Sequence, residues 1–308
     1  MLGASKLALM VNPVAGGGSN ERGIFMGGYP STGPTNVIEY ITINSAGNAT
    51  DFGDLTFARN GLGACSNATN ERGVAGGGDN SYANLIDYVT INATGNATDF
   101  GDLTASVTGE HAGFSNDTNE RGIFAGKSGM NIDYVTINSA GNATDFGNAT
   151  VSRGHAHGAS NSTNERGVMG GGYSGGAVNT IDYVTINSAG NATDFGDLTV
   201  SRYAPGALSN GLNERAVFGC GYSGGSVNTI DYVTINSAGN ATDFGDTSSA
   251  QDSSTGLSNR ENERGIFQIG TYQTVGDTLE YITINSTGNT TDFGDLIIAK
   301  SSMDGTSN

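Results

Sequence analysis

Residues 179–202 read NTIDYVTINSAGNATDFGDLTVSR, and the phrase inside them, NSAGNATDFGD, stands at 187–197, at 44–54 and at 236–246. Near-copies occupy 92–102, 138–148 and 285–295. The apolar run before the phrase, IDYVTIN, is rich in β-branched residues and Tyr, the composition that fits a pleated sheet. Ile181, Tyr183 and Thr185 face one way along it; Val184 and Ile186 face the other. A strand with apolar groups on both faces is covered on both faces. After it, Ser-Ala-Gly-Asn supplies a glycine for a tight hairpin, and ATDFGDLT reads as the returning strand.

Working outward, a second anchor is Asn-Glu-Arg-Gly or a variant, with its arginine at Arg22, Arg72, Arg121, Arg166, Arg215 and Arg264, spaced 50, 49, 45, 49 and 49 residues apart. Upstream of each IDYVTIN lies a strand such as RGVMGGG (166–172), and before that a short, small-sided one such as GALSN (206–210). The unit therefore holds four strands, labelled A to D, in about 48 residues, and it occurs six times. No segment carries an apolar stripe at helical period. Four-stranded units of this length, stacked and covered on both sides, predict an all-β fold: a six-bladed β-propeller with four antiparallel strands per blade. The expected division is an N-terminal arm over 1–18 and the propeller over 19–308.

The ends of the sequence predict how the ring closes. Arg59 to Asn67, Arg153 to Asn161 and Arg202 to Asn210 each span eight residues to the end of a strand A, and Lys300 to Asn308 spans eight again. Residues 301–308 are thus expected to supply strand A of the first blade, which has B, C and D strands but a poor A strand upstream. Closure of this kind removes a pair of open sheet edges.

The unit resembles a kelch repeat, in which a glycine pair closes strand B (Gly27–Gly28, Gly76–Gly77, Gly170–Gly171), a Tyr sits on strand C and an aromatic on strand D. Phe52, Phe100, Phe146, Phe195, Phe244 and Phe293 stand where that family usually carries Trp, and the chain has no Trp. The repeat as a whole also resembles one common in virion proteins of marine cyanophages and related environmental phages. That resemblance implies a non-enzymatic virion component, fibre, decoration or appendage, on capsid or tail. It would be assembled in host cytoplasm, act outside the cell after lysis, and have other virion proteins as partners.

Composition excludes several alternatives. The chain has 50 glycines, but its recurring Tyr, Phe, Val and Ile allow a core. Its 13 basic against 30 acidic residues, net −17, argue against nucleic acid and against anionic membrane surfaces. No stretch is long and apolar enough to insert in a membrane, and Leu7 to Val11 is too short for a signal-peptide core. Cys65 and Cys220 lie three repeats apart, so no disulfide framework is expected.

The motifs suggest structure more than chemistry. Asp-Phe-Gly lacks the lysine strand and catalytic loop of a kinase around it. Asp51 and Asp54 recur in most units, yet positions i and i+3 of a strand diverge, which disfavours a calcium cage. His155 and His157 offer half a metal site without an evident third ligand, and His111 stands apart. The Glu-Arg pairs read as bonds to adjacent blades or turns. Asn-X-Thr sequences such as Asn48 and Asn191 read as turn chemistry. The sequence thus predicts no enzyme, no catalytic residue, no metal and no cofactor.

The internal copies still divide the molecule into two faces. A–B and C–D turns barely change between units, while B–C loops and D–A connections change a great deal. Variable loops on a rigid scaffold are where recognition is placed. Tyr29, Tyr173, Tyr222 and Tyr272 in the B–C loops are the candidate contacts for a host surface glycan or receptor, as in a lectin-like module. Leu7, Leu9 and Met10 are candidate anchors to partner proteins, and a homo-oligomer is compatible with both readings.

Overall fold

The computed structural model describes residues 22–67, 71–79, 84–106, 109–116, 120–126, 129–161, 165–210, 214–259, 264–270 and 275–307. The arm residues Leu7, Leu9 and Met10, and the loop residue Tyr272, lie outside them. The described residues contain strands and no helix. They form six four-stranded antiparallel sheets, one per repeat, arranged as a six-bladed β-propeller. The inner strands are Asp304–Ser307, Gly63–Ser66, Ala112–Ser115, His157–Ser160, Gly206–Ser209 and Thr255–Ser258, in ring order from blade 1 to blade 6.

Closure occurs as the sequence predicts. Strand Asp304–Ser307 pairs antiparallel with Arg22–Met26, matching Gly23 with Ser307 and Met26 with Asp304. A belt of serines around the axis depends on it. Ser66 donates its hydroxyl to the Ser307 carbonyl at 2.6 Å, and Ser307 donates to the Ser258 carbonyl at 2.5 Å. Ser115, Ser160, Ser209 and Ser258 each donate likewise to the serine of the preceding inner strand, at 2.6–2.8 Å. The belt surrounds an axial cavity of about 140 Å³.

The core lies between blades. Ile181 and Tyr183 pack with Phe195 and Leu198 of blade 4 against Phe218, Val233 and Ile235 of blade 5. Val184 and Ile186, on the other face of the same strand, pack with Phe114 and Phe146 of blade 3. The two-faced alternation in IDYVTIN is therefore what stacks the blades, and each fully buried Ile, Val or Phe is worth about 1.5–3 kcal/mol. Strand D meets strand C through a bulge: Ile181 faces Gly196 and Asp182 faces Asp194, leaving Phe195 as the extra residue. Phe195 meets Tyr183 edge-on with ring centroids 6.0 Å apart. The same bulge recurs in every blade.

The glycines that close strand B need one adjustment from the sequence reading. In blade 1 the left-handed pair is Gly27–Gly28, as expected, but in blades 2 and 4 it falls one residue later, at Gly77–Gly78 and Gly171–Gly172. In blade 5 Cys220 takes the first of these positions, at φ 64°. Cys220 and Cys65 are free and buried.

Candidate functional site

Most of the repeated residues serve joints between blades, which accounts for six copies of one phrase. The hairpin Gly-Asn-Ala of each blade (Gly-Asn-Thr in blade 6) bonds to Phe-Gly-Asp of the blade before it (Phe-Gly-Asn in blade 3). Between blades 4 and 5, the Ala241 amide donates to the Asp197 carbonyl at 2.8 Å, and the Asp197 amide donates to Asn240 Oδ1 at 3.1 Å. Across the closure, Ala49 donates to Asp295 at 2.7 Å and Asp295 donates to Asn48 Oδ1 at 3.1 Å. The asparagines of the Asn-X-Thr sequences are thus acceptors in these latches. The hairpin tips at 44–48 are exposed while their backbones hold the neighbouring blade.

The arginine of Asn-Glu-Arg-Gly has two partners. Arg166 lies over the Tyr183 ring, 4.3 Å from its centroid, and its Nη1 donates to the Ile235 carbonyl of blade 5 at 3.0 Å. All six blades repeat the stacking at 4.3–4.6 Å. The expectation of bonds to adjacent blades holds for these arginines; the stacking on Tyr was not legible without the register, which sets Val168 opposite Tyr183.

A second set of cations is buried between blades. Arg59 pairs with Asp87 at 2.9 Å, Arg153 with Asp182 at 3.1 Å, Arg202 with Asp231 at 2.9 Å, and Lys300 with Glu39 at 3.8 Å. Where the cation is the shorter lysine, the acid is the longer Glu. Burial pushes the Lys300 amine down to about 8, against the opposing pull of Glu39. Of the thirteen Lys and Arg, ten lie among the described residues. Six stack on tyrosines and four sit in these buried pairs.

The loop face is different. Tyr29, Tyr173 and Tyr222 occupy equivalent places, each bridging to the D–A connection beside it, at Ser301, Gly154 and Tyr203. Tyr173 and Tyr222 come together around Tyr203. The Tyr173 and Tyr203 rings meet at 85° with centroids 5.5 Å apart, and Tyr203 and Tyr222 lie 5.2 Å apart at 31°. Tyr173 is 47% exposed. Tyr29 belongs to blade 1, across the ring from blade 4, and stands apart from this cluster.

Tyr203 and His155 were not singled out as contacts from the sequence. The signal lay in the D–A connection: Tyr203 is an aromatic at a place held elsewhere by Asn60, Gly154 and Ser301. The His155 ring lies 5.8 Å from Tyr203. It also approaches Glu110, whose Oε2 is 3.6 Å from His155 Nδ1 and 3.8 Å from His157 Nε2. Burial alone would push the Glu110 carboxyl up, but the two imidazoles outweigh it and hold it well below the usual range. The Glu110 contact in turn raises His155 against its own burial. Glu110 is therefore the neighbour that the His155–His157 pair finds, as an ion-pair partner. Among the described residues no group of three or more His, Cys, Asp or Glu is placed to hold a metal ion.

Deeper on the axis, Asp304 of the closing strand accepts the Ala64 amide at 2.7 Å, the Gly305 amide at 2.8 Å and the Thr255 hydroxyl at 2.6 Å. Its carboxylate thus ties blades 1, 2 and 6 together. No protein-family model and no curated protein sequence matches the chain.

Proposed function

We propose that this chain is a non-enzymatic display module, a structural component of a phage-like particle that turns its loop face outward as an attachment surface. The observation that carries this reading is the division of labour among side chains. The repeated phrase and all ten described cations are engaged in joints within the ring, whereas a partly exposed aromatic cluster stands on the loop face. Tyr173 is the most open ring of the three, at 47% exposure. The particle setting rests on the resemblance of the repeat to phage virion repeats. Mass spectrometry of purified particles tests it: the chain is expected among the particle proteins, and its absence from intact particles overturns the reading.

The Tyr173–Tyr203–Tyr222 cluster favours a second, compatible reading, a receptor-binding propeller that mediates host attachment through surface glycan. A glycan array probed with the purified protein tests it. Saturable binding that falls in a Tyr173→Ala variant supports attachment, and an array without hits leaves the structural role alone.

A further inference from the structure

The tyrosine cluster also has an electrostatic setting. Two rings at right angles make a corner, and the third, at 31° to one of them, extends a wall. Such faces carry negative potential and attract cations, the more so when partly desolvated. The groups acting on Tyr203 are acids and phenols. Burial, first, pushes the Tyr203 phenol up, with smaller contributions from Tyr222, Asp252, Tyr173 and Glu110. Asp252 is held in place by the Ser226 hydroxyl at 2.9 Å. Among the described residues no Lys or Arg side chain is free to fill the corner, since all are engaged elsewhere. The one basic neighbour, His155, faces Glu110 and feels Asp79. The carboxylate nearest the rings by geometry is Asp252, bonded to Ser226, whose backbone bridges to Tyr222, on a chain of net charge −17.

We propose that the Tyr173–Tyr203–Tyr222 corner, with Asp252 beside it, binds an alkylammonium group of the quaternary type carried on a host or partner surface. The ring faces hold the cation, and the Asp252 carboxylate sets its sign. This deepens the reading of the loop face as an attachment surface and rests on it, although the two fail separately.

The test is saturation-transfer NMR on the full chain with choline and with 3,3-dimethylbutanol, its neutral isostere. Choline is expected to bind about tenfold more tightly than the isostere, in line with a partly desolvated cation–π contact. Tyr203→Leu, which keeps apolar bulk, should lower choline affinity about tenfold, and Asp252→Asn should lower it by a smaller factor. Far-UV circular dichroism confirms that each variant is folded. Equal binding of the two probes, no saturable choline signal, or an unchanged Tyr203→Leu variant overturns the site. Phosphatidylcholine vesicles and a soluble phosphocholine-substituted polymer then separate a lipid headgroup from a polymer substituent as the source. A chain found in particles but blind to choline overturns this site alone; a choline-binding chain absent from particles overturns the display reading alone.

Discussion

Gly196 shows how tightly a single position of the repeated phrase is held. Its φ is 148°, and a Cβ there would lie 2.4 Å from the Gly239 carbonyl oxygen of the next blade. At Gly190, six residues earlier in the same phrase, a Cβ would meet nothing within 4 Å, and φ is ordinary. Gly196→Ala should therefore cost about 1–3 kcal/mol from backbone strain alone, with the latch to blade 5 disturbed as well. Gly190→Ala should stay within about 0.5 kcal/mol, as surface changes do. Urea melts of the two variants check this, and equal midpoints would remove the latch explanation. The sequence displayed both glycines equally often; which one is strained depends on contact with another blade, and periodicity carries no such information. The same holds for Arg166, whose bond to a neighbouring blade was readable as a type of role, while its seat on Tyr183 needed the strand register.

At the scale of elements, the closing strand was legible because it repeats a spacing. Eight residues separate a basic residue from the end of strand A in three earlier places and again at 300–308. The physical reason for that spacing is that Arg59, Arg153, Arg202 and Lys300 are buried against the next blade, fixing where each inner strand begins. The tyrosine cluster was only half legible, since Tyr173 and Tyr222 belong to one loop class and Tyr203 to another. Their meeting depends on a D–A connection crossing between two blades, which no single repeat displays. Deleting residues 301–308 removes the pairing with Arg22–Met26, both serine-belt bonds of Ser307 and the three contacts of Asp304. Against a total stability of roughly 5–15 kcal/mol, that loss should leave the ring unfolded or aggregating. A synthetic 301–308 peptide should restore the strand-rich far-UV spectrum, and the same peptide with Asp304→Ala should restore it less. A truncated chain that melts like the full one would show that closure does not hold the ring.

At the scale of the whole molecule, the placement of charge determines how salt acts. The four cation–carboxylate pairs between blades have side chains only 0–1% exposed, so mobile ions reach them poorly. The six stacked arginines each donate to a carbonyl as well as lying on a ring, and those partners are neutral. What remains for salt to screen is the mutual repulsion within a chain of net charge −17. The exposed Asp51, Asp99, Asp145, Asp194, Asp243 and Asp292 repeat around the outer strands and contribute to it. Raising NaCl from about 10 mM to about 300 mM shortens the screening length from roughly 30 Å to well under 10 Å, less than the spacing of charges across the ring. Thermal stability should therefore rise with NaCl, by roughly 3 °C for each kcal/mol of repulsion relieved. A protein held together by exposed ion pairs would do the opposite over the same range. Thermal melts at graded NaCl decide between them, and a falling midpoint would mean that the cations of this ring are more open to solvent than their burial indicates.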